Sequence, residues 1–127
     1  MSKRHERLTE LFLREINAGL RDVSGLNENG LLTITGAELS GDDKTLTVFY
    51  SVLNATPEQT ERKAGLLAAH ARELRTLMYR RLRLKSIPEV RFAYDDTPEK
   101  AAHIEQLLQK LRDERGTEES EHGNTGS

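Results

Sequence analysis

Three prolines punctuate this chain, and the interval between the first two constrains its fold most. Pro57 lies in Thr56-Pro57-Glu58-Gln59, where Thr56 can cap, proline takes the first helical position and Gln59 completes a capping box. Helical character then runs to about Leu84, with no further proline before Pro88. In a small domain such a span more often bends or splits than runs straight. Gly65, Ala68, Ala69 and Ala71 cluster near its middle, which predicts two helices meeting there. Pro88 closes the helical region, and Val90-Arg91-Phe92-Ala93-Tyr94 reads as a short strand. Thr97-Pro98-Glu99 repeats the Thr-Pro-Glu start and opens a last helix, with an apolar stripe of Ile104, Leu107, Leu108 and Leu111.

Upstream, Ser2 can cap a helix whose Leu8, Leu11, Phe12, Ile16 and Leu20 share one face. Gly25 to Gly30 is a loop, and Leu31 to Leu39 reads as a strand in which Gly36 marks a bulge or a close approach. Ser40-Gly41-Asp42-Asp43 is a turn by composition. Leu46, Val48, Tyr50 and Val52 then alternate with Thr45, Thr47, Phe49 and Ser51, the period of a second strand, so the pair is a β-hairpin.

The resulting order is helix, strand, strand, helix, helix, strand, then a C-terminal helix. Two helices on one face of a three-stranded sheet make a two-layer α+β domain, and this order is similar to that of the type II KH domain, a nucleic-acid-binding fold. At 127 residues the chain suits one domain, predicted over 1–112. From Gly116 it turns to Gly, Ser, Thr and Glu, so 113–127 reads as a disordered acidic tail. The chain contains no cysteine, which removes disulfides and thiolate metal sites from consideration. With no apolar signal core and no apolar run of membrane-spanning length, a soluble cytoplasmic protein is expected.

Net charge, -2 overall, conceals a division. Residues 71–91 carry seven Lys/Arg against Glu73 and Glu89, a local +5, whereas residues 95–127 carry nine acids against four bases. A basic element and an acidic tail are being averaged. Arg72, Arg75, Arg80, Arg81, Arg83 and Lys85 are the candidate phosphate contacts, since a guanidinium donates two parallel hydrogen bonds and keeps its charge. At about 100° per residue, Arg72, Arg75 and Arg83 share a third of the helix circumference, with Arg81 opposite Arg72. Such contacts position a protein on nucleic acid without reading sequence. The plainer reading is a solvated helix face, although only Glu73 is available locally to pair with these arginines. Lys3, Arg4 and Arg7 are secondary candidates, with a frayed charged terminus as their plainer reading.

The run Arg81-Leu82-Arg83-Leu84-Lys85, followed by Ile87-Pro88-Glu89-Val90-Arg91-Phe92 and Tyr94-Asp95-Asp96, resembles the bacterial ribosome-binding factor A family, with weaker agreement over about residues 3–112. The resemblance implies a KH-like small-subunit assembly factor. It would bind 16S rRNA of the immature particle near the decoding region, support late maturation and 5′-end processing, and serve cold adaptation. A monomer released by a ribosome-dependent GTPase is implied as well. That family uses an Ala-x-Gly interhelical kink in place of a Gly-x-x-Gly loop. The corresponding position here is His70-Ala71-Arg72, where the alanine is shifted and arginine replaces glycine.

Other residues point less far. Tyr79 could stack on a base, but aromatics are only 5% of the chain, and core or rim packing is its expected task. Gly123-Asn124-Thr125-Gly126 spells Gly-x-x-Gly, but in the tail. The four histidines have no ligand spacing, so neither metal nor cofactor is expected. No phosphate loop, serine elbow or His–nucleophile pair supports an enzyme. The competing reading is a KH-like protein-interaction module without direct RNA binding.

Overall fold

The computed structural model describes the backbone of residues 3–126 and the side chains of residues 3–116, so the predicted Ser2 cap lies outside the described residues. Its elements are α1 (Lys3–Leu20), β1 (Leu31–Leu39), β2 (Thr45–Leu53), α2 (Pro57–Leu82), β3 (Glu89–Tyr94) and α3 (Thr97–Gly126). They fall into two units, Met1–Asp95 and Asp96–Ser127. The division comes before the last helix.

In the first unit β2 is the central strand of the order β1-β2-β3. β1 runs antiparallel to it, from Leu31 opposite Leu53 to Leu39 opposite Leu46, and β3 runs parallel, with Thr45 opposite Glu89 and Tyr50 opposite Tyr94. Leu46, Val48, Tyr50 and Val52 are all buried, as their alternation predicts. In β1 the core positions change phase: Leu32 and Ile34 pack inward, then Ala37 and Leu39. The register shift between Ile34 and Gly36 absorbs that change, leaving Thr35 as the extra residue of a bulge. Gly36 marks the bulge without a close approach, since nothing lies within 4 Å of where its Cβ would be.

The bulge is tied across the sheet. Thr35 Oγ1 donates to Asp95 Oδ2 at 2.7 Å, and the Asp95 amide donates to the Tyr50 carbonyl at 2.6 Å. Tyr94 meets Tyr50 edge-on at 5.5 Å. The turn between β1 and β2 closes on Ser40, whose hydroxyl donates to Asp42 and accepts from the Lys44 and Thr45 amides. That hydroxyl, then the Lys44 amide, holds the Asp42 carboxyl below its ordinary value. This stabilisation is complete above the ordinary aspartate range and is lost as pH falls through the lowered value.

α1 buries Phe12, Ile16, Gly19 and Leu20. Gly19 lets α2 approach closely, since a Cβ there would stand 2.5 Å from Leu74 Cδ2. The His5 ring anchors the start of α1 to the hairpin, bridging the Leu39 carbonyl at 2.8 Å and the Asp43 carboxylate at 3.0 Å. Lys63 is buried in α2, where its ammonium donates to the carbonyls of Leu26 and Glu28 and ties down the loop ahead of β1.

One expectation is corrected. The predicted pair of helices is one unbroken helix from Pro57 to Leu82, closed at its N-terminus by the full capping box. His70, Ala71 and Arg72 lie inside it and form no interhelical break. The physical reason is that Gly65, Ala68 and Ala69 face outward, so no neighbour presses into the helix at the small residues. The last helix, α3, extends as helical backbone as far as Gly126. No proline follows Pro98, and Glu, Gln, Lys, Arg and Leu favour helix through its first half. In α3, Ile104, Leu107, Leu108 and Leu111 carry exposed side chains.

Gly30 provides a test of the packing. It has φ +125°, and an added Cβ would meet Ala55 Cβ at 2.7 Å and the Leu53 carbonyl at 3.0 Å. Gly30→Ala is expected to lower stability by about 2 kcal/mol or more. Gly36→Ala should stay within about 0.5 kcal/mol. Chemical denaturation monitored by circular dichroism checks both.

Candidate nucleic-acid interface

α2 holds the basic residues because its opposite face is needed by the core. Lys63, Leu67, Leu74 and Met78 are buried at helical spacing, which leaves Arg72, Thr76, Tyr79 and Arg80 exposed on the other side. These four lie within an arc of about 100°. Arg72 and Arg80 have no ion-pair or hydrogen-bond partner among the described residues. Both also line an open groove of about 550 Å³ beside the end of α1, where Gly19, Val23 and Leu77 contribute.

Two of the predicted contacts have partners within the fold. Arg75 Nε and Nη2 donate to the Ile87 carbonyl at 3.2 and 3.1 Å, joining α2 to the residue ahead of buried Pro88. Arg81 Nε meets Glu15 Oε2 at 2.7 Å, and the Glu15 side chain is only 13% exposed. Arg81 is thus the counter-charge for a nearly buried carboxylate on α1. Tertiary partners, invisible to helical-wheel arithmetic, separate these arginines from the free ones.

The helix ends two residues earlier than predicted. Arg83 takes a left-handed conformation (φ 51°, ψ 36°), which turns the chain so that Leu82 and Leu84 both pack against the core while Arg83 and Lys85 face solvent. Among the described residues, the other non-glycine positions with positive φ are Asn29, Asp43 and Asn54. Their short polar side chains tolerate that region, whereas an arginine gains nothing from it. Strain of this kind collects where function needs a particular side chain. Arg83 and Lys85 lead into Glu89, whose amide donates to the Lys44 carbonyl in the hairpin turn. His5 reaches the same turn, so exposed Lys3, Arg4 and Arg7 sit at that end of the sheet, apart from Arg72 and Arg80.

At the predicted kink, His70 Nδ1 lies 2.8 Å from the Leu66 carbonyl one turn back, and Nε2 lies 3.9 Å from Glu73. Tyr79 departs from its expected packing role, being 62% exposed. Among the described residues no cluster of three or more His, Cys, Asp or Glu is arranged to hold a metal ion, and no helix is long and apolar enough to cross a membrane.

The sequence model of ribosome-binding factor A matches residues 4–108. The chain belongs to the ribosome-binding factor A family. It is 38% identical to the Opitutus terrae ribosome-binding factor A over 111 residues, covering 87% of this chain and 89% of that one. With the Geobacter sulfurreducens ribosome-binding factor A it shares 32% over 121 residues, covering 94% of this chain and all of the relative. The crystal structure of ribosome-binding factor A from Thermus thermophilus superposes with TM-score 0.59 at 21% identity, over 71% of this chain and 93% of that chain. A homology model of the Thermus thermophilus factor, fitted into a cryo-electron microscopy map of a 30S complex, superposes with TM-score 0.51 at 21% identity, over 69% and 94%. The fold shared with these ribosome-binding factor A structures is α+β and KH-like.

The division of labour among the arginines is measurable. Arg83→Gly should raise stability by about 0.5–1 kcal/mol, because relief of the left-handed cost outweighs the extra entropy glycine loses on folding. Arg75→Ala should lower it by about 1–3 kcal/mol through loss of the charged hydrogen bonds to Ile87. Urea denaturation of each variant checks the signs, which are opposite for two arginines of the same basic element.

Proposed function

We propose that this chain is a non-catalytic assembly factor that binds 16S rRNA of the immature small ribosomal subunit and assists its late maturation and 5′-end processing. The observation that carries the reading is a set of cations, Arg72, Arg80, Arg83 and Lys85, exposed and without partners among the described residues, on and just beyond the outward face of α2. Neighbouring Arg75 and Arg81, which do have partners, are structural. A cation kept exposed and unpaired is available to a phosphate at little desolvation cost. Membership of a ribosome-binding family, and a Thermus thermophilus relative fitted into a 30S complex, supply the class of particle that offers such phosphates. Lys3, Arg4 and Arg7 form a second, smaller contact region at the far end of α1. The factor acts as a cytoplasmic monomer, serves cold adaptation and is released by a ribosome-dependent GTPase. With no break in α2 at His70-Ala71-Arg72, RNA meets a continuous helix face rather than a kinked backbone.

Binding to immature small subunits, titrated with salt, tests this. Four phosphate contacts to single-stranded RNA predict a slope of log K against log salt of about -3. Arg80→Glu should weaken binding and reduce the slope by about 1. Arg75→Ala, within the same basic run, should leave the slope unchanged. A flat salt profile that tolerates Arg72→Glu and Arg80→Glu would instead identify a protein-interaction module on a KH-like scaffold.

A further inference from the structure

Tyr79 is the aromatic that the fold leaves unused. Of the chain's three tyrosines and three phenylalanines, Phe12 and Tyr50 are buried, Tyr94 packs edge-on against Tyr50, and Phe49 and Phe92 are half-buried. Tyr79 alone is more than half exposed, at 62%, and it has neither a ring contact nor a hydrogen-bond partner among the described residues. An isolated exposed aromatic is ordinary on a protein surface. The surroundings of this one are not. Arg72 and Thr76 precede it on the same exposed strip of α2, Arg80 is adjacent, and Arg83 follows one turn on. A rise of about 1.5 Å per residue puts Arg72 about 10 Å to one side of the ring and Arg83 about 6 Å to the other. The tyrosine therefore stands between guanidinium groups that make no ion pair with an acid among the described residues, although Asp22 and Glu73 line the groove beside Arg72 and Arg80.

We infer that Tyr79 is a stacking platform for one unpaired nucleotide, with Arg72, Arg80 and Arg83 holding the flanking phosphates. This rests on the RNA-binding reading above and specifies what kind of RNA the site takes. A tyrosine face offers nothing to a phosphate and a large apolar area to a base. In a continuous duplex both faces of every base are covered by neighbours, so the ring selects single-stranded, bulged or terminal nucleotides. Stacking tolerates any base, which makes this selection for unpaired structure and not for sequence. Charge favours RNA over a protein partner as the occupant: an apolar contact on a protein would leave the surrounding arginines unpaired, whereas a strand brings a counter-charge for each.

The test compares the full chain with Tyr79→Ala, Tyr79→Phe and Arg72→Glu/Arg80→Glu. Each is titrated with an unpaired RNA of about 12 nucleotides and with a duplex of the same length, and circular dichroism checks that each variant is folded. The expected result is tighter binding of the unpaired RNA and a loss of about 5- to 100-fold for Tyr79→Ala. The salt slope should be unchanged in that variant, and Tyr79→Phe should bind nearly as well as the parent. The arginine variant should lose both affinity and slope. Intrinsic fluorescence adds a direct reading, since the chain has no tryptophan and Tyr50 is buried. Unpaired RNA should quench tyrosine emission in the parent and much less in Tyr79→Phe. If Tyr79→Ala binds unpaired RNA like the parent while the arginine variant fails, stacking is wrong and the RNA-binding reading stands. If the parent binds neither RNA, both are wrong. If Tyr79→Ala weakens binding to small subunits alone, the ring sits on a protein and the inference is overturned.

Discussion

The parallel pairing of β3 with β2 is the constraint on which the rest of the first unit depends. A strand that returns parallel must start again at the same end of the sheet, so the chain between has to travel back along the full length of β2. β2 spans about 30 Å at strand rise, and the 26 residues of α2 span about 39 Å at helical rise. One unbroken helix meets that need with enough length for the turn into β3. This is why the small residues at 65, 68 and 69 do not become a joint. It also fixes where the basic block falls, since the C-terminal end of α2 must lie beside the start of β3.

The joint between α2 and β3 shows what such a crossover requires. Leu82, Leu84, Ile87 and Pro88 all have to turn inward within a few residues, and a helix cannot present them on one side. The left-handed turn at Arg83 solves this by ending the helix and reversing which side chains face the core. Arg75 holds the end of the connection through the Ile87 carbonyl, and Arg81 holds the helix against α1 through Glu15. Conformational strain at Arg83 and electrostatic anchoring at Arg75 and Arg81 are thus two sides of one piece of architecture. Cations left over from that task, Arg72, Arg80, Arg83 and Lys85, stay exposed to solvent.

The hairpin, the helix starts at Thr56 and Thr97 and the inward face of α1 are legible in the sequence because each rests on local chemistry. Strand period, capping hydrogen bonds and helical spacing act within a few residues. The phase change in β1 is legible only in part. Gly36 marks the bulge, but its fastening by Thr35 to Asp95, sixty positions away, belongs to the assembled sheet. Gly19 and Lys63 give no signal of their own, since a helical glycine and a helical lysine are ordinary until α2 packs on α1 and the loop at 26–28 closes over the ammonium. Tyr79 is misjudged from composition because low aromatic content favours burial for any one ring.

By itself the sequence determines the identity and direction of the elements, the family, and the presence of a basic segment masked by an acidic one. These depend on residue type and spacing along one dimension. Tertiary structure alone decides that α2 is continuous, that Arg75 and Arg81 are tied to Ile87 and Glu15, and that Arg72, Tyr79, Arg80 and Arg83 stay exposed and without such partners among the described residues. Two arginines of equal charge and propensity differ only in what the folded chain brings within about 3 Å of them, and that distance is a property of packing.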